Sequence, residues 1–427
     1  MTESAKSKTD ILAEVPDREK LERQFKVAQM ISRPVLAMVI LADLFLLSEF
    51  LFFGNEDLWL WLFVSVSIIS GAYWLSFIGL ILQYRVNLAS LDEGEMIGKY
   101  SVQEMKSLVA EVLEPYKNRE LPSIYITHGG ETNVMVFNSV FFNRVSVLNA
   151  VFISEPFFHI FEEGEFKAII SHELGHFYKY TSYVSRLKSF VLFFIGALPI
   201  YLYAISETAT IWSLIGTWFL TVILGLILFV MLDPDRAQEY LCDYYAAERY
   251  GKLNVINALL SFGKRNELEL LIVSMIVNRI RVDDTLSIDQ TDDILHAIDK
   301  LLPDKKVVAE KELKQTVAHF FESDAIEPFR TQLSDDDVKF EEQQIENFLD
   351  EFFDNKDFQL LDWGLFDFAE QNMRIDSAEY PYLIDALLKH PDGQLFNLKT
   401  DNKEHTEYDT HPTVGQRILF LEKTGVA

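Results

Sequence analysis

The chain carries one cysteine, Cys242, in 427 residues. That excludes an internal disulfide, so nothing in the sequence demands an oxidising compartment. Basic residues are scarce, 38 Lys and Arg against 65 Asp and Glu, for a formal net charge of -27. Such a surface repels phosphate backbones, which excludes nucleic acid as a partner. The sequence has no internal repeat and no low-complexity linker. No secretory signal is expected either, because the first 33 residues are polar and of mixed charge, without an apolar core followed by a small-residue cleavage site.

What is abundant is apolar sequence, 49% of residues beside 24% charged, and it is clustered rather than spread. Residues 34–53, 58–82, 189–206 and 211–232 form four apolar runs, each near the roughly 20 residues needed to cross a bilayer. The third run is short and contains Pro199, a break that neighbouring helices can absorb. The short connections, 54–57 and the turn around Glu207, hold no Lys or Arg. The other flanks hold Arg18, Lys20, Arg23, Lys26 and Arg33, then Arg85, then Lys179, Arg186 and Lys188, then Arg236. Positive flanks stay in the cytoplasm, so both termini, 83–188 and everything after 232 are expected on that side. Within the first run, Asp43 is expected to face the bundle interior and Glu49 to sit near the interface.

His172-Glu173-Leu174-Gly175-His176 lies in an apolar-periodic stretch, 166–180, that reads as helix. Residues four apart share a helix face, so both imidazoles can address one metal with Glu173 beside them as a general base for a metal-bound water. A third histidine six residues on is absent, because position 182 is Ser182 and position 179 is Lys179. Between His176 and Gln238 the acids are Glu207, on the far side of the membrane, Asp233 and Asp235. A cluster continuing to Glu239 and Asp243 then emerges on the same side as His172. Glu239 and Asp243 are four apart, so one carboxylate can bind zinc while the other orients a ligand histidine.

HELGH, a pair of apolar runs and then DRAQEYLCDYYAAERYG together resemble the membrane zinc endopeptidases of the HtpX type, relatives of the CAAX prenyl endopeptidases. The resemblance covers roughly 34–265 and 405–425. It implies a zincin-like α+β catalytic domain on a mainly α membrane protein, one Zn2+ ion, and a bacterial inner-membrane location. It makes His172, His176 and Glu239 the ligands, Asp243 the supporting acid and Arg236 the motif's arginine; Asp235 and Cys242 replace the usual serine and alanine. Strands are expected over 122–127, 132–137 and 148–154. Asn133-Val134-Met135-Val136 stands where the family has an asparagine-led strand along the cleft, which would bind an extended polypeptide through its backbone. Thr410-His411-Pro412-Thr413 with Arg417 resembles the family's terminal element, and by that resemblance His411 would stabilise the oxyanion of the tetrahedral intermediate.

The expected organisation is a cytoplasmic segment 1–33, membrane helices in 34–82, catalytic residues in 83–188, membrane helices in 189–232, and more catalytic residues in 233–265. An acidic, mostly helical cytoplasmic insertion follows over 266–404, with helices at 268–281, 291–302, 307–323, 336–353 and 377–390, and the His-Pro element closes the chain at 405–427. The expected activity is zinc-dependent hydrolysis of peptide bonds in membrane-associated or misfolded proteins at the cytoplasmic face. Two other readings compete: a zinc-bound membrane scaffold without protease activity, against which Glu173 speaks, and a restricted processing peptidase of the prenyl type. The ligand set also suits other divalent ions, and the oligomeric state is not legible.

Overall fold

The computed structural model describes residues 15–53, 57–68, 85–127, 134–138, 149–155, 157–181, 183–206, 210–232, 235–264, 334–354, 363–369, 374–389 and 412–426, with a few isolated positions. The expected helices at 268–281, 291–302 and most of 307–323, and the second half of the 58–82 run, lie outside the described residues. So do His411 and Asn133.

The described chain is mostly helical. Helix α1 spans Arg18–Phe53. The helix is continuous through Pro34, so it joins the end of the polar segment to the first apolar run. An i,i+4 pair between Arg18 and Glu22 (3.0 Å) supports its first turns, and Leu21 and Phe25, also four apart, are buried. Packing at both ends offsets the hydrogen bond that Pro34 removes. Near its start, α1 is tied to a later helix by Arg18 Nη1, which donates to the Tyr244 hydroxyl at 2.6 Å. Toward its end, Leu46 and Phe50 pack with Leu62, Ala197 and Ile200.

Helix α2 (Asp57–Ile68) and helices α5 (Tyr183–Ile205) and α6 (Ile211–Leu232) supply the rest of this apolar bundle. A Cβ on Gly196 would meet Val66, and one on Gly225 would meet Ile195, so both glycines sit where helices approach closely. Among the described residues one helix, α1, is long and apolar enough to cross a membrane, and α2, α5 and α6 contain shorter apolar stretches. The outer face is apolar: Leu41, Phe52, Phe63, Trp212, Phe219 and Leu220 are all exposed. Asp43 is buried, and neither of its carboxylate oxygens has a partner among the described residues.

The second body is a small sheet with helices on one face. Its strands are β1 (Arg85–Asn87), β4 (Ser123–Thr127), β5 (Val134–Asn138) and β6 (Asn149–Ser154), in the order β1-β4-β6-β5; β2 (Met96–Ile97) and β3 (Tyr100–Ser101) form a separate hairpin. β4 and β6 run parallel, and β1 and β5 flank them antiparallel. Alternation decides the faces. Ile124, Ile126, Val151 and Ile153 enter the main core, while Tyr125, Ala150 and Phe152 cluster on the other side.

Against the core face pack α3 (Val102–Leu113) and α4 (Glu163–Leu174), then α7 (Asp235–Tyr250), α8 (252–264) and the terminal helix α11 (Val414–Thr424). Phe157, Phe158, Phe161 and Phe166 are almost wholly buried there. Each contributes roughly 1.5–3 kcal/mol by leaving water.

Part of the acidic insertion belongs to this core. Helix α9 (Asp335–Asp354) is the acidic one, and α10 (Tyr380–Lys389) follows it. Phe366, Ile375, Leu383, Ile384 and Leu387 join the core cluster, Asn257 and Ile375 exchange two hydrogen bonds (2.7 and 3.0 Å), and Arg374 Nε reaches the buried Glu165 at 2.8 Å. Residues 363–369 and 374–389 are thus built into the body that carries the site.

Candidate metal centre

Helix α4 opens with a capping box, in which the Glu162 backbone N–H donates to Glu165 at 2.9 Å and the Glu162 side chain accepts in return. The helix buries Ser171, His172 and Leu174 near its end. It then widens into a π-helical turn, Gly175–Lys179, closed by the Tyr180 N–H on the Gly175 carbonyl at 2.8 Å. His176 therefore sits in the wider turn, while His172 is in the α-helix. Turns of this kind recur at functional sites because they re-aim a side chain without ending the helix.

Helix α7 crosses α4 at Gly175. A Cβ there would lie 3.0 Å from Cys242 Sγ and 3.3 Å from a Tyr245 ring carbon. Glycine on one helix and a small buried thiol on the other let the backbones approach, and that approach carries Glu239 up to the histidines. Gly175→Val should force the helices apart and lower zinc affinity by on the order of tenfold or more. Metal titration of the purified variant checks this; unaltered affinity would mean that the close crossing is dispensable.

The three expected donors converge. His172 Nε2 and His176 Nε2 are 3.0 Å apart, Glu239 Oε2 is 3.4 Å from His172 Nε2, and Glu239 Oε1 is 3.2 Å from His176 Nε2. Tetrahedral ligands about 2.05 Å from a zinc ion would stand about 3.3 Å from one another. Two imidazoles and a carboxylate in this arrangement therefore fit zinc and leave a fourth position open. Among the described residues it is the group of His, Cys, Asp and Glu side chains gathered tightly enough to hold a metal ion.

Around the donors lies a second set of contacts. His172 Nδ1 is 2.9 Å from Asp243 Oδ1, close but not aligned as a hydrogen bond. Asp243, 1% exposed, is gripped by Arg417 of α11, whose Nε and Nη2 donate to its two oxygens at 2.6 Å each; Arg417 Nη2 is also 3.5 Å from Glu239. His176 Nδ1 meets the Gln238 side-chain amide at 2.8 Å. With Nε2 turned to the metal position, Nδ1 carries the proton, and the carbonyl end of that amide is its natural acceptor.

The charges are strongly coupled. Burial opposes protonation of His172, but Asp243 and Glu239 outweigh it and raise its pKa to about 10. Burial also works against ionised Glu239 and Asp243, yet both are lowered, Glu239 by the two histidines and Asp243 by Arg417. Two carboxylates held ionised beside two imidazoles make a pocket that favours added positive charge. Glu173 is partly buried, and burial raises its carboxyl above the ordinary range.

Other expected residues fall differently. Arg236 is exposed and its Nη2 donates to Gln416 Oε1 (3.4 Å), while the guanidinium on Asp243 is that of Arg417. Val134, Met135 and Val136 lie on β5, which pairs with β6 and packs against α4 and its π turn; its other edge carries no strand among the described residues. Sequence reasoning assigned no task to Arg417, Gln238 or Gly175. Arg417 stood in a quoted motif, but 174 positions separate it from Asp243, too far for spacing to connect them.

A family model described as Peptidase family M48 matches residues 141–424. Comparison with curated proteins and with solved structures finds no match.

Proposed function

This chain belongs to peptidase family M48, the family of the HtpX and CAAX prenyl endopeptidases and thus of metallopeptidases, and on that premise we propose that it is a membrane-embedded zinc endopeptidase working at the cytoplasmic face. The observation that carries the proposal is the convergence of His172, His176 and Glu239 with mutual distances of 3.0–3.4 Å.

His172, His176 and Glu239 would hold the ion, which when bound would supply a Lewis acid for the scissile carbonyl and an acidified water. Glu173 takes the proton of the attacking water on its carboxylate and returns it to the leaving amine. Arg417 holds Asp243, and Asp243 fixes the His172 ring. Gln238 does the same for His176. His411 is the proposed oxyanion donor. The substrate backbone lies along the open edge of β5, with Asn133 to Val136 as its template, so that main chain is read more than side chains.

The exposed apolar belt of α1, α2, α5 and α6 supports four membrane crossings, the 58–82 run being long enough in sequence to be the second. The cation-free short connections support a cytoplasmic site. Substrates are then polypeptides of membrane proteins whose loosened segments reach a cleft beside the bilayer.

The test is metal analysis of the purified protein beside Glu239→Ala, with casein cleavage measured with and without a chelator. The wild type should carry one zinc per chain and lose cleavage on chelation; Glu239→Ala should lose most of its zinc. Full zinc in the variant would remove Glu239 from the ligand set, and chelator-resistant cleavage would refute the metallopeptidase reading.

A further inference from the structure

Where α1 passes the π turn, a groove of about 480 Å3 opens between them. Its α1 wall is one helical face, because Glu22, Phe25, Lys26, Gln29, Met30 and Arg33 recur at steps of three and four. The opposite wall is Lys179 and Tyr180, the last residue of the π turn and the one that closes it. The Phe25 and Tyr180 rings meet edge to face, centroids 5.5 Å apart, and Gln29 donates to the Thr181 carbonyl, so the two walls are joined at the base.

The groove is apolar below and cationic at the rim. Phe25 and Tyr180 are buried in its floor, and Met30 exposes most of its side chain. Lys26, Arg33 and Lys179 are exposed around it. Lys26 and Lys179 have no carboxylate at ion-pair distance among the described residues. Lys179 is steered by the Tyr180 and Tyr245 rings, its Nζ 5.1 and 4.7 Å from their centroids. The one acid of the lining, Glu22, is partly neutralised by Arg18 at 3.0 Å. In a chain of net charge -27, a rim with three cations is not a sample of the average surface.

Its height along α1 completes the argument. The groove ends at Arg33, and the apolar run begins at the next residue, Pro34. A site at the level where a helix passes from polar to apolar surroundings meets lipid headgroups.

We infer that this groove is a binding site for one anionic phospholipid, its phosphate between Lys26, Arg33 and Lys179 and its acyl chain leaving past the exposed Met30 toward the apolar run that begins at Pro34. The inference rests on the proposed membrane placement of α1. It deepens the function proposed above, because Lys179 lies three residues beyond His176 in the same π turn. A phosphate bridging α1 and Lys179 clamps that turn, and cleavage is accordingly faster in anionic than in neutral bilayers.

The experiment uses the full chain in nanodiscs of phosphatidylcholine alone or of an equimolar mixture with phosphatidylglycerol. Native mass spectrometry reads retained lipid, and casein cleavage and zinc content are read on the same preparations. Wild type should retain phosphatidylglycerol and cleave faster in the mixed discs. The Lys26→Gln/Arg33→Gln double variant, which spares the packed Lys179, should weaken retention about thirtyfold, at roughly 1 kcal/mol per cation. It should also lose the lipid stimulation while keeping its zinc and its rate in neutral discs.

Equal retention by the double variant, or equal rates in both discs for wild type, would overturn the inference. Displacement of retained phosphatidylglycerol by millimolar inorganic phosphate would reassign the groove to a soluble anion. Absence of cleavage in every disc, with lipid still retained, would instead count against the protease reading and leave the lipid site standing.

Discussion

Glu173→Gln is expected to abolish peptide cleavage, a fall of on the order of a thousandfold or more in kcat, while zinc stays bound at one ion per chain. The amide is isosteric with the carboxylate, so packing at this partly buried position hardly changes. What is lost is the capacity to take a proton from water and return it to the leaving nitrogen. The ligand atoms belong to His172, His176 and Glu239, none of which the substitution touches. Cleavage and metal content therefore separate in this variant, whereas in Glu239→Ala they fall together. Wild-type turnover in Glu173→Gln would sink the assignment of the base, and loss of zinc would move Glu173 into the ligand set. The scaffold reading predicts no cleavage in the wild type at all.

The second large effect is expected at Arg417, far from HELGH in sequence. Its guanidinium satisfies both oxygens of Asp243, and its nearest other carboxylate is Glu239. Arg417→Met keeps much of the side-chain volume but leaves Asp243, 1% exposed, without its cation. Removing one partner of a buried pair costs about 3–5 kcal/mol, because the remaining charge stays desolvated. His172 also loses the fixed contact that orients its ring, so zinc affinity should fall by about 10- to 100-fold. Arg417→Lys should lie between the two, since an ammonium supplies charge but not the two-pronged grip. Thermal unfolding with and without added zinc, combined with titration against a competing chelator, measures both effects. Wild-type stability and affinity in Arg417→Met would show that Asp243 has another counter-charge. The depressed pKa of Asp243 sets the pH window: its contribution to stability is present above the ordinary carboxylate range and lost in acid below it.

The lipid groove and the glycine crossing act on the same turn at its two ends, Lys179 and Gly175. Gly175 lets α7 close on it, and Lys179 faces α1. Both contacts fix the turn that carries His176, which is why single changes outside the ligand set should register in metal affinity or rate. The built-in segment 374–389 adds a third support, since Arg374 holds Glu165 at the other end of α4.

Two kinds of information were legible to different depths. Local spacing is readable because it rests on short-range geometry. A period of four places His172 and His176 together, alternation marks β4 and β6, and the long apolar runs mark the helices of an apolar bundle. Glu239 was reachable by elimination, because two histidines leave a metal short of a ligand and few acids lie between His176 and Gln238 in the sequence. The three strands were placed within two residues of their observed ends at each terminus, and the acidic helix within one.

What the tertiary structure alone decided are the contacts between elements distant in the chain. Arg417 rather than Arg236 meets Asp243, because the direction of a side chain on α7 depends on which face that helix turns to α11. Helix α1 runs from Arg18 through Pro34 into the apolar run, because burial of Leu21 and Phe25 against the catalytic body outweighs the break at Pro34. β5 pairs with β6 and stands at the end of the sheet among the described residues, a position that strand propensity does not encode. The sequence by itself determined the donor set, two imidazoles and a carboxylate with a second carboxylate beside the histidines, since those identities and their local spacing are covalent facts. The tertiary structure decided what holds that chemistry in place, since a helix crossing, a buried ion pair and a sheet edge come from packing between segments that sequence spacing does not relate.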